Sequence, residues 1–196
     1  MAIQHISGPL EVWVAPVGEA FPDLADAPAG NWVKLGTAGS KDIAEDGVRV
    51  RSEQESEAIR GLGGTGPIAI LRPAEDVFVE FDLQDATATM IAYALDGDAS
   101  RVTDTAAGVG TAGNLHQPIM RGLTVNEQAL LLKKDPGSSA LAAGAMQYEI
   151  PRCAQVGNIE EAYVKNALVM VGFSFQVIQD PTSDFGTRRI EDEVAS

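Results

Sequence analysis

Few residues in this chain have types and spacings that could do chemistry. Gly61-Leu62-Gly63-Gly64-Thr65-Gly66 fits G-x-G-x-x-G. In a dinucleotide site that pattern follows a buried strand and opens a helix, so that backbone N–H groups reach a pyrophosphate. Here a charged, alternating segment precedes it, and Pro67 with Ile68–Leu71 follows as another strand, so it reads as a hairpin connection. Asp184-Phe185-Gly186 matches a metal-binding tripeptide of protein kinases, but the rest of that signature is absent. Cys153, His5 and His116 could supply a nucleophile and a base, yet nothing in their spacing brings them together, and Cys153 reads as a small core residue. Two distant histidines and one cysteine make no zinc pattern. Asp96 and Asp98 flank Gly97 in what reads as a helix-ending turn. No catalytic residue, cofactor or metal is implied.

The strongest pattern is structural. From Val48 to Ile59 the residues alternate: Arg49, Arg51, Glu53, Glu55 and Glu57 fall on odd positions, uncharged residues on even ones. Side chains on a strand point alternately to opposite faces, so one face carries five charges. A return strand repeats the pattern, with Val77, Val79, Phe81 and Leu83 on one face and Phe78, Glu80 and Asp82 on the other. Residues 47–83 therefore read as a long two-stranded ribbon with an apolar and an acidic face. A ribbon alone is marginal in water, so it must extend a larger sheet or pair with neighbouring chains.

The other elements follow from local signals. Pro9–Pro16 reads as a strand whose flanking prolines favour a sheet edge. Glu19–Gly30 reads as an irregular loop, and Asn31–Gly36 as a short strand. Asp85–Leu95 reads as the one helix, with Asp85 as N-cap, Gly97 beyond its end, and Thr87, Ile91 and Leu95 on its packed face. Asp98–Gly113 reads as a loop, and Met146–Ile150 and Leu168–Ile178 as two more strands, while Leu123–Lys134 fits a buried strand or a helix by periodicity, with Gly122 and Asp135-Pro136-Gly137 at its ends favouring the strand. Thr182–Ser196 reads as a polar arm that orders only against a partner.

Composition agrees with a single β-rich domain spanning residues 1–196. Twenty Gly and ten Pro supply many turns. The net charge of −14 argues against gripping nucleic acid through its phosphates. No apolar run is long enough for a transmembrane helix, and the N-terminus lacks the basic start and apolar core of a signal peptide. One cysteine allows no internal disulfide, which fits a reducing cytoplasm.

Residues 8–18, 31–36, 45–57, 81–83 and 172–181 together resemble, in order, the elements of the major tail tube proteins of long-tailed (siphovirus-type) bacteriophages. The resemblance covers most of the chain. It implies a small β-sandwich or barrel with one flanking helix, arms at residues 1–18 and 182–196, and long hairpin strands that six copies join into a shared β-barrel ring. Rings would stack, through residues 37–46, 61–66 and 182–196, into a tube that conducts DNA without specific binding. The implied partners are further copies of the chain and the tape measure, terminator and baseplate proteins of a virion tail, with no membrane. Arg49, Arg51, Glu53, Glu55, Glu57, Glu80 and Asp82 would line the lumen, a balance of −3 per subunit and −18 for a ring of six. A tail terminator, a baseplate ring and a secretion-tube subunit share that fold. A β-sandwich binding module is the alternative outside it, and an enzyme ranks last.

Overall fold

The computed structural model describes residues 9–60, 62, 65–85, 87–134, 145–159, 169–182 and 184–190. It is mainly β and antiparallel. Among the described residues ten strands run in chain order: β1 (Leu10–Pro16), β2 (Val33–Leu35), β3 (Arg49–Arg60), β4 (Pro67–Leu83), β5 (Thr103–Thr105), β6 (Asn114–His116), β7 (Glu127–Lys134), β8 (Met146–Gln155), β9 (Val171–Val177) and β10 (Thr187–Ile190). Among the described residues one α-helix, α1 (Ala88–Asp96), follows β4. The main sheet has the order β2-β1-β7-β8-β9-β4-β3, with β10 beside β8, while β5 and β6 form a separate two-stranded sheet.

The main sheet curls around its own apolar face. Alternation puts Val12 and Val14 of β1, Leu130 and Leu132 of β7, and Val79, Phe81 and Leu83 of β4 into one core with all four odd residues of β9. Phe81 stacks on Phe173 at 4.8 Å between ring centres, an arrangement that adds about 0.5–1.5 kcal/mol beyond burial. Three strands separate β1 from β4, yet the 3-10 turn Gly39–Asp42 joins them. Ile43 bridges Leu83, and a Cβ on Gly39 would lie 2.6 Å from Glu11 Oε1 of β1. A smaller cluster of Ala15, Trp32, Ala129 and Leu131 lies on the opposite face, where the loop before β2 covers it. Trp32 Nε1 donates to the Ala20 carbonyl at 2.9 Å, and its ring meets Phe21 at 5.3 Å.

Several expectations need correction. β1 is not an edge strand, because β2 pairs with Val12–Val14 and β7 with its whole length. The prolines mark its ends instead. The helix is capped by Thr87, whose side chain accepts from the Met90 N–H, rather than by Asp85. Asp85 is held elsewhere, accepting from the Thr37 N–H at 3.0 Å. Met90, Ala92 and Ala94 are its buried residues, and of the expected face Ile91 packs against the core half-buried. Gly97 does close the helix, with φ 67° and its N–H on the Tyr93 carbonyl. Within Asp98–Gly113, expected as a loop, lie a short 3-10 turn (Ala99–Arg101) and β5, which pairs with β6. Part of the C-terminal arm orders against its own chain, where β10 pairs with Glu149–Met146 of β8 and Arg189 bonds Glu149 at 2.9 Å. Residues 191–196 of that arm, residues 1–8 of the N-terminal arm and His5 lie outside the described residues.

Candidate functional site: the charged ribbon

β3 and β4 pair as expected, and their register determines what each face presents. Arg49 stands opposite Glu80, Arg51 opposite Phe78, Glu53 opposite Asp76, and Glu55 opposite Ala74. Directly opposed residues project to the same side. Arg49, Arg51, Glu53 and Glu55 therefore share a face with Phe78, Glu80 and Asp82. The same face continues onto β9, where Gln176, Ser174 and Gly172 stand opposite Phe78, Glu80 and Asp82.

The sequence reading missed Asp76, although it falls in step with Phe78, Glu80 and Asp82. Its carboxylate accepts from Gln176 Nε2 at 3.1 Å, which fixes it on this face. With Glu57 in the β3 alternation, the wall holds six carboxylates against two guanidiniums, a net charge of −4 rather than −3. Arg51 sits at its centre. One nitrogen lies 2.6 Å from Glu53 and another 3.2 Å from Glu80, and the guanidinium covers the Phe78 ring at 5.1 Å. Arg49 reaches Asp46 at 3.4 Å. These pairs are exposed, where each contributes about 0–1 kcal/mol, so they shape the wall more than they stabilise it.

A break in register changes the outer half of the ribbon. Glu55 pairs with Ala74, but Glu57 pairs with Leu71, so Arg72 and Pro73 together oppose Ser56. Proline has no N–H for the ladder, and a bulge is where a strand tolerates it. The extra residue reverses the alternation of β4. Beyond it Leu71 and Ala69 join Glu57 and Ile59, and the acidic face becomes apolar toward the tip. The proline within the strand pattern was the available signal. Residues 67–83 run through the bulge as one strand of 17 residues.

The ribbon also stands clear of its core. Every residue of β3 is exposed, as is β4 from Pro67 to Asp76, and burial starts only at Val77. The apolar face therefore packs on the chain's own core only near the base, through Val48, Val77 and Val79. β3 forms the outer edge of the sheet, and β9 pairs with β4 only from Phe78 to Leu83. Among the described residues, the outer ribbon thus has two unpaired edges running roughly 35 Å.

No family model matches the chain, and no curated protein matches it in sequence. The fold does have a solved counterpart. A chain in the cryo-EM structure of the anti-feeding prophage (AFP) baseplate, six-fold symmetrised, superposes with a TM-score of 0.52 at 8% identity, covering 97% of each chain. At that identity the likeness is one of fold.

The remaining candidate residues have structural partners. Cys153 is fully buried with Sγ on the Gln128 carbonyl at 3.4 Å, and burial pushes its thiol well above the ordinary range. His116 is exposed on β6. Asp96 accepts from Arg101 and Asn126, both at 3.0 Å, and Asp98 caps the turn that follows by accepting from the Ser100 N–H at 2.7 Å. Asp184 bridges Asp180, and Phe185 packs against the core, so that tripeptide forms a turn. Of the glycine run, residues 61, 63 and 64 lie outside the described residues, and the run joins the two paired strands. Among the described residues, no three His, Cys, Asp or Glu side chains gather as a metal site, and no helix is long and apolar enough to cross a membrane.

Proposed function

We propose that this chain is a structural, non-catalytic subunit of a phage tail. Its copies join their β3–β4 ribbons into a closed ring, and the rings stack into the tail tube. The observation that carries this reading is the outer ribbon itself. It has two unpaired edges, both faces in solvent and no core of its own. A free edge invites uncontrolled pairing, and closure into a barrel shared between copies removes it. The fold likeness to a chain of a six-fold symmetrised baseplate supports rotational assembly of this kind.

In such a ring the wall formed by Arg49, Arg51, Glu53, Glu55, Glu57, Asp76, Glu80 and Asp82 faces the channel. Six copies carry −24 there, from −4 per subunit. A like-charged wall repels phosphates, so DNA slides through without being held. The partners of the tube are further copies, the tape measure, the terminator and the baseplate, and its place is the virion tail. Negative-stain electron microscopy of the concentrated protein tests this, and the expected result is hollow tubes of stacked rings. A second reading, a baseplate ring subunit, is favoured by the fold likeness, and single closed rings that never stack would select it. A protein that remains monomeric at high concentration and in the presence of other tail components would remove both.

A further inference from the structure

Among the described residues, two projections carry most of the large apolar side chains left in solvent. One is the ribbon tip, with Ile59, Leu62, Ile68, Ile70 and Leu71. The other is the arm between α1 and β7, with Leu115, Ile119, Met120, Leu123 and Val125. Ile119 and Leu123 are fully exposed. The arm is not loosely hung. Arg101 bonds Asp96 at 3.0 Å and the Arg121 carbonyl at 2.8 Å, Asn126 bonds the Asp96 carbonyl at 3.2 Å, and Arg121 bonds the Gly157 carbonyl. Its root is fixed, while the strands of its small sheet bury nothing. Large apolar side chains exposed in such number on two projections mark an interaction site.

Charge indicates what covers it. The chain carries −14, so two copies repel wherever their acidic surfaces meet. The two projections are exempt. Residues 102–126 hold one Asp and one Arg, a net charge of zero, and residues 58–71 hold Arg60 as their one charge. Tip against tip would bring Glu55, Glu57 and Glu75 of both copies together just behind the contact. Tip against arm would not. We infer that the ribbon tip of one copy docks on the 102–126 arm of a second copy. This rests on the reading of the chain as a self-assembling subunit and names the surfaces that join the copies. The contact is heterologous, the kind that generates rings or stacked filaments rather than closed dimers.

The native Cys153 is buried, so introduced cysteines report alone. Ile70→Cys and Leu123→Cys proteins, one carrying a mass tag, are mixed under assembly conditions and treated with a short bis-maleimide. The expected product is the mixed dimer, at least fivefold above either homodimer. Tip–tip or arm–arm dimers in excess, or no mixed dimer, overturn the inference. Ile70→Asp and Leu123→Asp should each raise the concentration needed for assembly at least tenfold with an unchanged Tm, and unchanged assembly counts against the contact. Microscopy of the same samples separates the two ideas. Rings without mixed cross-links keep the ring reading and overturn this contact, whereas mixed cross-links in open chains keep the contact and remove the ring. A monomer that gives no cross-link overturns both.

Discussion

Reversing the charge of the ribbon wall is the most direct probe of its use. In the Glu53→Lys, Glu55→Lys, Glu57→Lys variant each position changes by two charges. The wall goes from −4 to +2 per subunit, and a six-copy ring from −24 to +12 with 18 new lysines. The fold should hardly notice. The three side chains are exposed, and of the wall's ion pairs only Arg51–Glu53, at 2.6 Å, is lost. An exposed pair contributes about 0–1 kcal/mol, a Tm change of about 4 °C at most for a chain of this size. The effect on DNA should be large. If one lysine per subunit meets a phosphate, a ring makes six contacts, and affinity then falls about a thousandfold between 50 and 200 mM salt. The assay assembles the protein with a short fluorescent duplex and sediments the assemblies at both salts. Wild-type assemblies should leave the duplex in the supernatant. Variant assemblies should retain it at 50 mM, protected from nuclease, and release it at 200 mM. Assembled variant that ignores DNA at 50 mM refutes the channel-facing wall, and so does retained DNA that nuclease digests, because lysines on an outer surface would bind without protecting.

Four further outcomes test the fold that holds the wall. Gly97→Ala should lower stability by about 2–4 kcal/mol, since it combines the left-handed backbone penalty with a Cβ 1.7 Å from the buried Gln128 Nε2. Gly47→Ala has a similar φ of 69° and open space around it, so it should cost about 1 kcal/mol. Equal melting shifts in the two variants would show that the contact with Gln128 is not rigid. Cys153 should resist thiol reagents in the native protein and react on unfolding, because burial favours its neutral thiol and only the thiolate is the nucleophile. Rapid native labelling would contradict that burial. Removing residues 187–196 should lower Tm even in unassembled protein, since the β8 edge loses its partner along Met146–Glu149. A purely assembly-dependent loss would return that segment to the role of a free arm.

Strand alternation was legible in the sequence because it is local. Side chains fall alternately on two faces, and β3, β8 and β9 lie within segments where that period can be read, whereas β7, buried on both faces, shows only an apolar run between turn residues. The C-cap at Gly97 was legible for the same reason, since only the backbone at one position decides it. The helix start was not, because Thr87 and Asp85 are both good caps and Asp85 is taken by Thr37, some fifty residues earlier in the chain. Tertiary structure also decided the register of β4 against β3. The bulge at Arg72–Pro73 turns an acidic face into an apolar tip, and no count of charges along either strand alone reveals that. β8 likewise exchanges neighbours, pairing β10 over Met146–Glu149 and β9 over Cys153–Gln155, because the sheet curls there. The sequence by itself determined which residues are charged, which are apolar and in what rhythm. Which of them share a surface depended on pairings between distant segments, and those form only when burial of the common core brings the segments together.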